Sequence, residues 1–189
     1  VLFALYFVVS FAALGFFAFP ILNKLYPGQD PLVLVNQLLL FVFFGDLVFR
    51  YLMQKLPVMN IKPLLHLPIK KSILVHYVLL KSTVSFFNIM TLFFFIPFSF
   101  QLVANNYAAP GVLGWLFTIV GIILCINFIN FLINKSPKAL TIIGSLLAVL
   151  IGLYYFKILP VGEFSALLFN GLVENPIYGL LSIPVVVFL

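Results

Sequence analysis

Long apolar runs alternate with short polar breaks along the chain, and the repeat is about one membrane crossing. Apolar stretches cover residues 1–19, 32–53, 82–102, 112–133 and 139–156. Each is near the ~20 residues that a helix needs to cross a ~30 Å hydrocarbon core. Turn formers fill the gaps: Asn23, Pro27, Gly28 and Pro31 after the first run, Asn105, Asn106 and Gly111 after the third, Ser136 and Pro137 after the fourth. Pro20 is expected to close the first span. The third is expected to grow without a break out of a helix that starts near Lys70 or Ser72. Residues 157–176 read as less regular, and 178–189 as a sixth span cut short. Both ends fall inside apolar runs, so the expectation is a segment of a longer protein. Runs of this length call for helices, since a barrel strand alternates over about ten residues. The expected fold is therefore all-α: a polytopic transmembrane helical bundle of about six spans. It forms a single transmembrane domain over 1–189, with a long loop at 54–81.

Composition points the same way. The chain is 65% hydrophobic and 7% charged, against roughly 25% charged in a soluble domain. Too few charges exist to cover a globule in water, so lipid is the expected solvent. A net charge of +6 would suggest nucleic acid in a soluble protein; here it reports topology, and no nucleic-acid partner is expected. Eight of the 10 basic residues fall on one side: Arg50, Lys55, Lys62, Lys70, Lys71 and Lys81 around the second loop, Lys135 and Lys138 in the fourth. Only Lys24 and Lys157 lie opposite. Basic residues collect in cytoplasmic loops, which assigns loops two and four to the cytoplasm. Cys125, the one cysteine, excludes a disulfide within the chain and a thiolate metal cluster.

Residues for covalent chemistry are missing from the pattern. There is no G-x-x-x-x-G-K-[ST] phosphate loop and no His-Glu-x-x-His, and His66 and His76 stand apart from any carboxylate. No catalytic, cofactor-binding or metal-binding residue is expected. Polar residues inside the spans are the remaining candidates. Asp46 and Arg50 lie four apart, on one helix face; a structural ion pair is the first reading, a substrate or gating role the second. Lys81, Ser85, Asn88 and Thr91 read as one polar face of the third span, and Asn127, Asn130 and Asn134 as one of the fourth. Such stripes hold helices together with hydrogen bonds of ~0.6–2 kcal/mol each, or line a path.

The second loop carries the most information. Leu64, Leu65, His66 and Leu67 form an apolar-basic piece that breaks at Pro68. Ile69, Lys70, Lys71, Ser72, Ile73 and Leu74 follow, and Lys81 heads the next span. On composition alone this is either a basic loop that anchors topology or a short surface helix tied to two spans. The Leu67–Leu74 run and the trailing lysine resemble the cytoplasmic loop of type-2 ABC exporter permeases, and most closely a Bacteroidetes-type branch of them. The layout is similar as well: a coupling loop between spans two and three, a short cytoplasmic turn between four and five, and short re-entrant helices between five and six, where residues 163–172 would fall. Two departures are that the family's glycine before the lysine is Leu80, and that the cytoplasmic helix expected before span one is missing from this segment.

The resemblance implies a permease subunit of an ATP-driven exporter in a bacterial inner membrane. Leu64, Leu65, His66, Leu67, Lys70 and Lys71 would then dock on a cytoplasmic ATP-binding-cassette subunit. ATP and Mg would sit on that partner, with no cofactor in this chain, and a second permease unit would complete the path through the lipid bilayer. Readings from other classes are a non-transporting scaffold subunit and a secondary carrier. Orientation gives the first test. In a Cys125-free background, a cysteine at Asn106 should react with an impermeant maleimide in intact cells and one at Lys71 should not; the reverse overturns the topology.

Overall fold

The computed structural model describes residues 2–54, 77, 81–133 and 138–175. They include six helices with both ends described: α1 (Leu2–Leu25), α2 (Pro31–Met53), α3 (Phe86–Ala104), α4 (Ala109–Ile133), α5 (Ala139–Tyr155) and α6 (Val161–Glu174). Helices α1 to α4 are each long and apolar enough to cross a membrane. Among the described residues all regular structure is helical, as lipid requires: in hydrocarbon every backbone N–H and C=O must find its partner inside the chain. The all-α membrane bundle read from the sequence is the fold. The expected docking segment at Leu64–Lys71 and the expected sixth span lie outside the described residues.

Two boundaries differ from the sequence reading. Pro20 does not close the first span; α1 continues through it to Leu25. Proline removes one N–H and crowds the carbonyl four residues back. In lipid that loss is smaller than leaving the helix, which would expose several more backbone groups. Pro97 sits inside α3 in the same way. The third span, conversely, is not continuous. Residues 81–83 are helical, Val84 turns, and Ser85 is extended (φ −91°, ψ 150°) as the N-cap of α3, its hydroxyl accepting from the Asn88 N–H. The expected polar face through Lys81, Ser85 and Asn88 is therefore broken at Ser85: Lys81 is exposed, whereas Asn88 is buried.

Residues 157–176 are also more regular than they read. After α5, Lys157 adopts a left-handed φ of 53°, and α6 follows over 14 residues. At ~1.5 Å per residue, α6 is too short to cross the core. It packs instead on α2 and α4. It buries Val161, Gly162, Ser165, Ala166 and Phe169, the i, i+4, i+8 spacing of one helix face.

The apolar centre is built by Leu39 and Phe43 of α2, Phe95, Phe98 and Leu102 of α3, and Trp115, Ile119 and Ile123 of α4. Phe95 meets Trp115 edge-on at 5.9 Å between ring centroids, a favoured aromatic geometry. Many large apolar side chains face outward as well, such as Phe100, Phe117, Ile142 and Leu167. With lipid tails as apolar as the interior, helix association rests on close packing and on interior polar contacts.

Close packing is tightest where α1 crosses α3. A Cβ added at Gly15 would lie 2.1 Å from the Phe94 carbonyl oxygen, so only glycine permits the approach. Overpacking of this kind costs ~1–3 kcal/mol. Gly15→Ala should therefore lower the thermal midpoint in detergent by roughly 2–10 °C. Gly144→Ala, where nothing lies within 4 Å, should leave it unchanged or raise it slightly. Equal effects at the two positions would show that the α1–α3 contact does not hold the bundle.

Candidate functional site

Polar side chains in the interior gather in two networks. The first lies where α2 ends and α3 begins. Arg50, one turn before the end of α2, is fully buried. Its Nε donates to Asp46 Oδ2 at 2.7 Å, the i, i+4 partner, and its Nη1 donates to Asn88 Oδ1. The guanidinium also lies 6.0 Å from the Phe87 ring centroid, within range of a cation–π contact. Asn88 in turn donates through Nδ2 to the Thr83 carbonyl at 2.7 Å and to that of Ser82 at 3.5 Å. Those carbonyls belong to the turn before Ser85, so one amide side chain takes up backbone groups that the interruption of the helix releases.

The network then crosses to α4. Gln54, the C-cap of α2, donates through Nε2 to Asn127 Oδ1 at 3.1 Å. Asn127 Nδ2 donates to Ser82 Oγ at 2.9 Å, and Asn130 Nδ2 to Gln54 Oε1 at 3.2 Å. Gln54 and Ser82 are the residues by which the chain enters and leaves the 54–81 stretch. Asn127 thus holds both ends of that stretch against α4. Two buried atoms here, Arg50 Nη2 and Asn130 Oδ1, have no hydrogen-bond partner among the described residues. A buried polar group left unpaired costs about 1–3 kcal/mol.

The second network fixes α6. Asn36 of α2, fully buried, donates through Nδ2 to Asn170 Oδ1 at 2.7 Å and accepts from Trp115 Nε1 at 2.9 Å. Ser165 Oγ donates to the Asn36 carbonyl and accepts from the Leu40 N–H at 3.4 Å, so a hydroxyl from α6 lies beside one step of the α2 backbone ladder. A Cβ on Gly111 of α4 would lie 2.3 Å from the Val173 carbonyl oxygen, which presses the far end of α6 against α4. At the same end of the bundle, Asp30 caps α2 by accepting from Leu32 N at 2.8 Å, and Tyr107 OH donates to it at 2.5 Å. Burial, reinforced by that carboxylate, pushes the Tyr107 phenol above its ordinary value.

Of the residues singled out in the sequence, Asp46, Arg50, Asn88, Asn127 and Asn130 converge in the first network. Ser85 contributes as the α3 cap, and Thr91 instead donates to the Phe87 carbonyl of its own helix. Asn134 lies outside the described residues. Gln54, Ser82, Asn36, Trp115, Ser165 and Asn170 were not singled out. For Asn36 the available signal was an amide early in a largely apolar span, which is costly to bury without an interior partner.

An apolar surface, broken spans and polar joints buried between helices define a polytopic α-helical membrane protein. Over residues 1–189 the chain matches the family described as DUF5687, a family of unknown function, and it belongs to that family. Comparison with curated proteins and with solved structures finds no match in either.

The Asp46–Arg50 pair can be tested directly. Removing one member strands a charge in the interior, at a cost of roughly 3–5 kcal/mol, whereas an apolar replacement of both is far milder. Asp46→Asn and Arg50→Gln should each reduce the folded yield in detergent, and Asp46→Leu/Arg50→Met should recover most of it. Additive losses in the double variant would mean that the two side chains act separately.

Proposed function

We propose that the chain is the membrane-spanning permease subunit of an ATP-driven exporter, in a bacterial inner membrane with the 54–81 stretch in the cytoplasm. ATP would be hydrolysed on a separate cassette subunit, and this chain would turn the resulting motion into switching of its helices. One observation carries the reading: Asn127 bonds both Gln54 and Ser82. A force applied to the stretch between them would not be lost in a slack loop. It would reach α2, α3 and α4 together, through Asn127 and through the Arg50–Asn88 contact.

Two further features support it. The interruption at Val84–Ser85 gives the third span a place to bend, with a side chain ready to take up the freed carbonyls. Among the described residues Arg50 Nη2 and Asn130 Oδ1 have no partner, so a rearranged state that pairs them would gain hydrogen bonds at this joint. The resemblance of the Leu67–Leu74 run to the exporter coupling loop supplies the partner's identity.

The test is co-purification. His66→Asp/Leu67→Asp puts two charges where the partner would dock, and an unpaired charge buried at an interface costs several kcal/mol. Membrane insertion and thermal stability should hold while the co-purifying ATPase falls at least about tenfold. Asn127→Leu should keep the ATPase bound but lose the dependence of transport on ATP. If no ATPase accompanies the wild type, or the double Asp variant retains it in full, the exporter reading is wrong and a scaffold or secondary carrier takes its place.

A further inference from the structure

At the α2 N-terminal end the chain is unlike the rest of the bundle. It has four acidic residues; Asp46 is in the interior, and Asp30, Glu163 and Glu174 are all here. Two cavities, about 350 Å³ and 560 Å³, open on either side of Glu163, and both are lined by Gln37 and Glu163. Tyr154 and Lys157 close the first, Asn170 and Glu174 the second. The turn from α5 into α6 shapes this space. The left-handed Lys157 reverses the chain, and α6 starts beside Gln37 and Tyr154, each 3.6 Å from a Cβ placed at Gly162, an ordinary contact distance.

Of the polar groups around the cavities, Asn170 helps to hold α6 through Asn36, whereas the charged ones stand clear of both interior networks. Among the described residues the one ion pair is Asp46–Arg50, so Lys157 and Glu163 do not neutralise each other. Glu163 and Glu174 are eleven residues apart, about three turns, which puts both on the same exposed face of α6. Depth follows from α2: Val33 and Gln37 lie in its first two turns, roughly 3–9 Å below its start at 1.5 Å per residue. Apolar side chains stand bare beside the opening, with Phe156, Ile158, Phe164 and Leu167 all more than half exposed.

We propose that the cavities flanking Glu163 form a binding site for the headgroup of a zwitterionic phospholipid that carries a primary ammonium. The ammonium sits at Glu163, which borders both cavities and offers it a charge-assisted hydrogen bond; Glu174, ~16 Å further along α6, adds a second negative charge to the same face. The phosphate faces Lys157, the Gln37 amide serves either group, and the acyl chains run along the bare apolar side chains. An anionic headgroup without the amine meets two carboxylates and is disfavoured. A quaternary ammonium has no N–H to donate and binds less well. This site requires no ATPase and stands whether or not the chain is an exporter.

Native mass spectrometry of the purified chain in mild detergent tests it, with phosphatidylethanolamine, phosphatidylcholine and phosphatidylglycerol of one acyl composition. The wild type should carry at least about fivefold more ethanolamine than glycerol lipid, with choline lipid between. Glu163→Gln/Glu174→Gln should bring the ratio near one, and Glu163→Lys should invert it, with unchanged thermal midpoints because these side chains are exposed. Equal binding of the ethanolamine and glycerol lipids to the wild type overturns the proposal, as does a ratio unmoved by either variant. Displacement of the lipid by an equal concentration of glycerophosphoethanolamine, which has no chains, also overturns it and assigns the cavities to a soluble zwitterion.

Discussion

The bundle depends on one rule of its solvent: hydrocarbon offers no hydrogen bonds, so each polar group brought into the interior must be met by another from the same chain. The Asn127 amide meets that rule with a donor and an acceptor used at once, on Ser82 and Gln54. Asn36 does the same between α4 and α6, accepting from Trp115 and donating to Asn170. In water either amide would gain little by such pairing, because the solvent competes for the same bonds. In lipid the alternative is an unpaired amide, and a few side chains therefore decide which helices meet. The apolar residues, alike inside and out, cannot make that choice.

This also accounts for the division between what was legible in the sequence and what was not. The helices were legible, since run length is a property of contiguous residues. So was the Asp46–Arg50 contact, because a spacing of four fixes neighbours on a helix. The partnership of Asn36 with Asn170 was not, as its members are far apart in the chain and nothing local ties them. The break at Ser85 escaped for the opposite reason: it rests on one hydroxyl capping the Asn88 N–H, too small a signal against the phenylalanines that follow. Pro20 misled because the helix-breaking rule comes from water, where a released carbonyl finds a partner at once.

The two polar networks differ in finish. Around Asn36 the groups are matched, and α6 sits against α2 and α4 as a fixed wedge. Around Arg50, among the described residues, a donor and an acceptor remain unpaired, beside the one interruption seen there in a long span. A membrane protein with one well-satisfied end and one imperfect end has its compliance concentrated at the imperfect end. On the proposed exporter reading, the moving part would lie next to the 54–81 stretch.

The contact between α1 and α3 bears on how the chain is made. Gly15 of α1 meets the backbone at Phe94, a partner synthesised some eighty residues later, and α1 packs chiefly on α3 rather than on its sequence neighbour α2. During translation α1 therefore enters the bilayer without its final neighbour and stays there while α2 and the basic 54–81 stretch emerge. Its composition suits that interval: in the finished bundle only Gly15 and Phe19 of Leu5–Leu25 are buried, and the rest of the helix is apolar enough to face lipid. The narrow glycine face is the exception, held open until α3 arrives to close it.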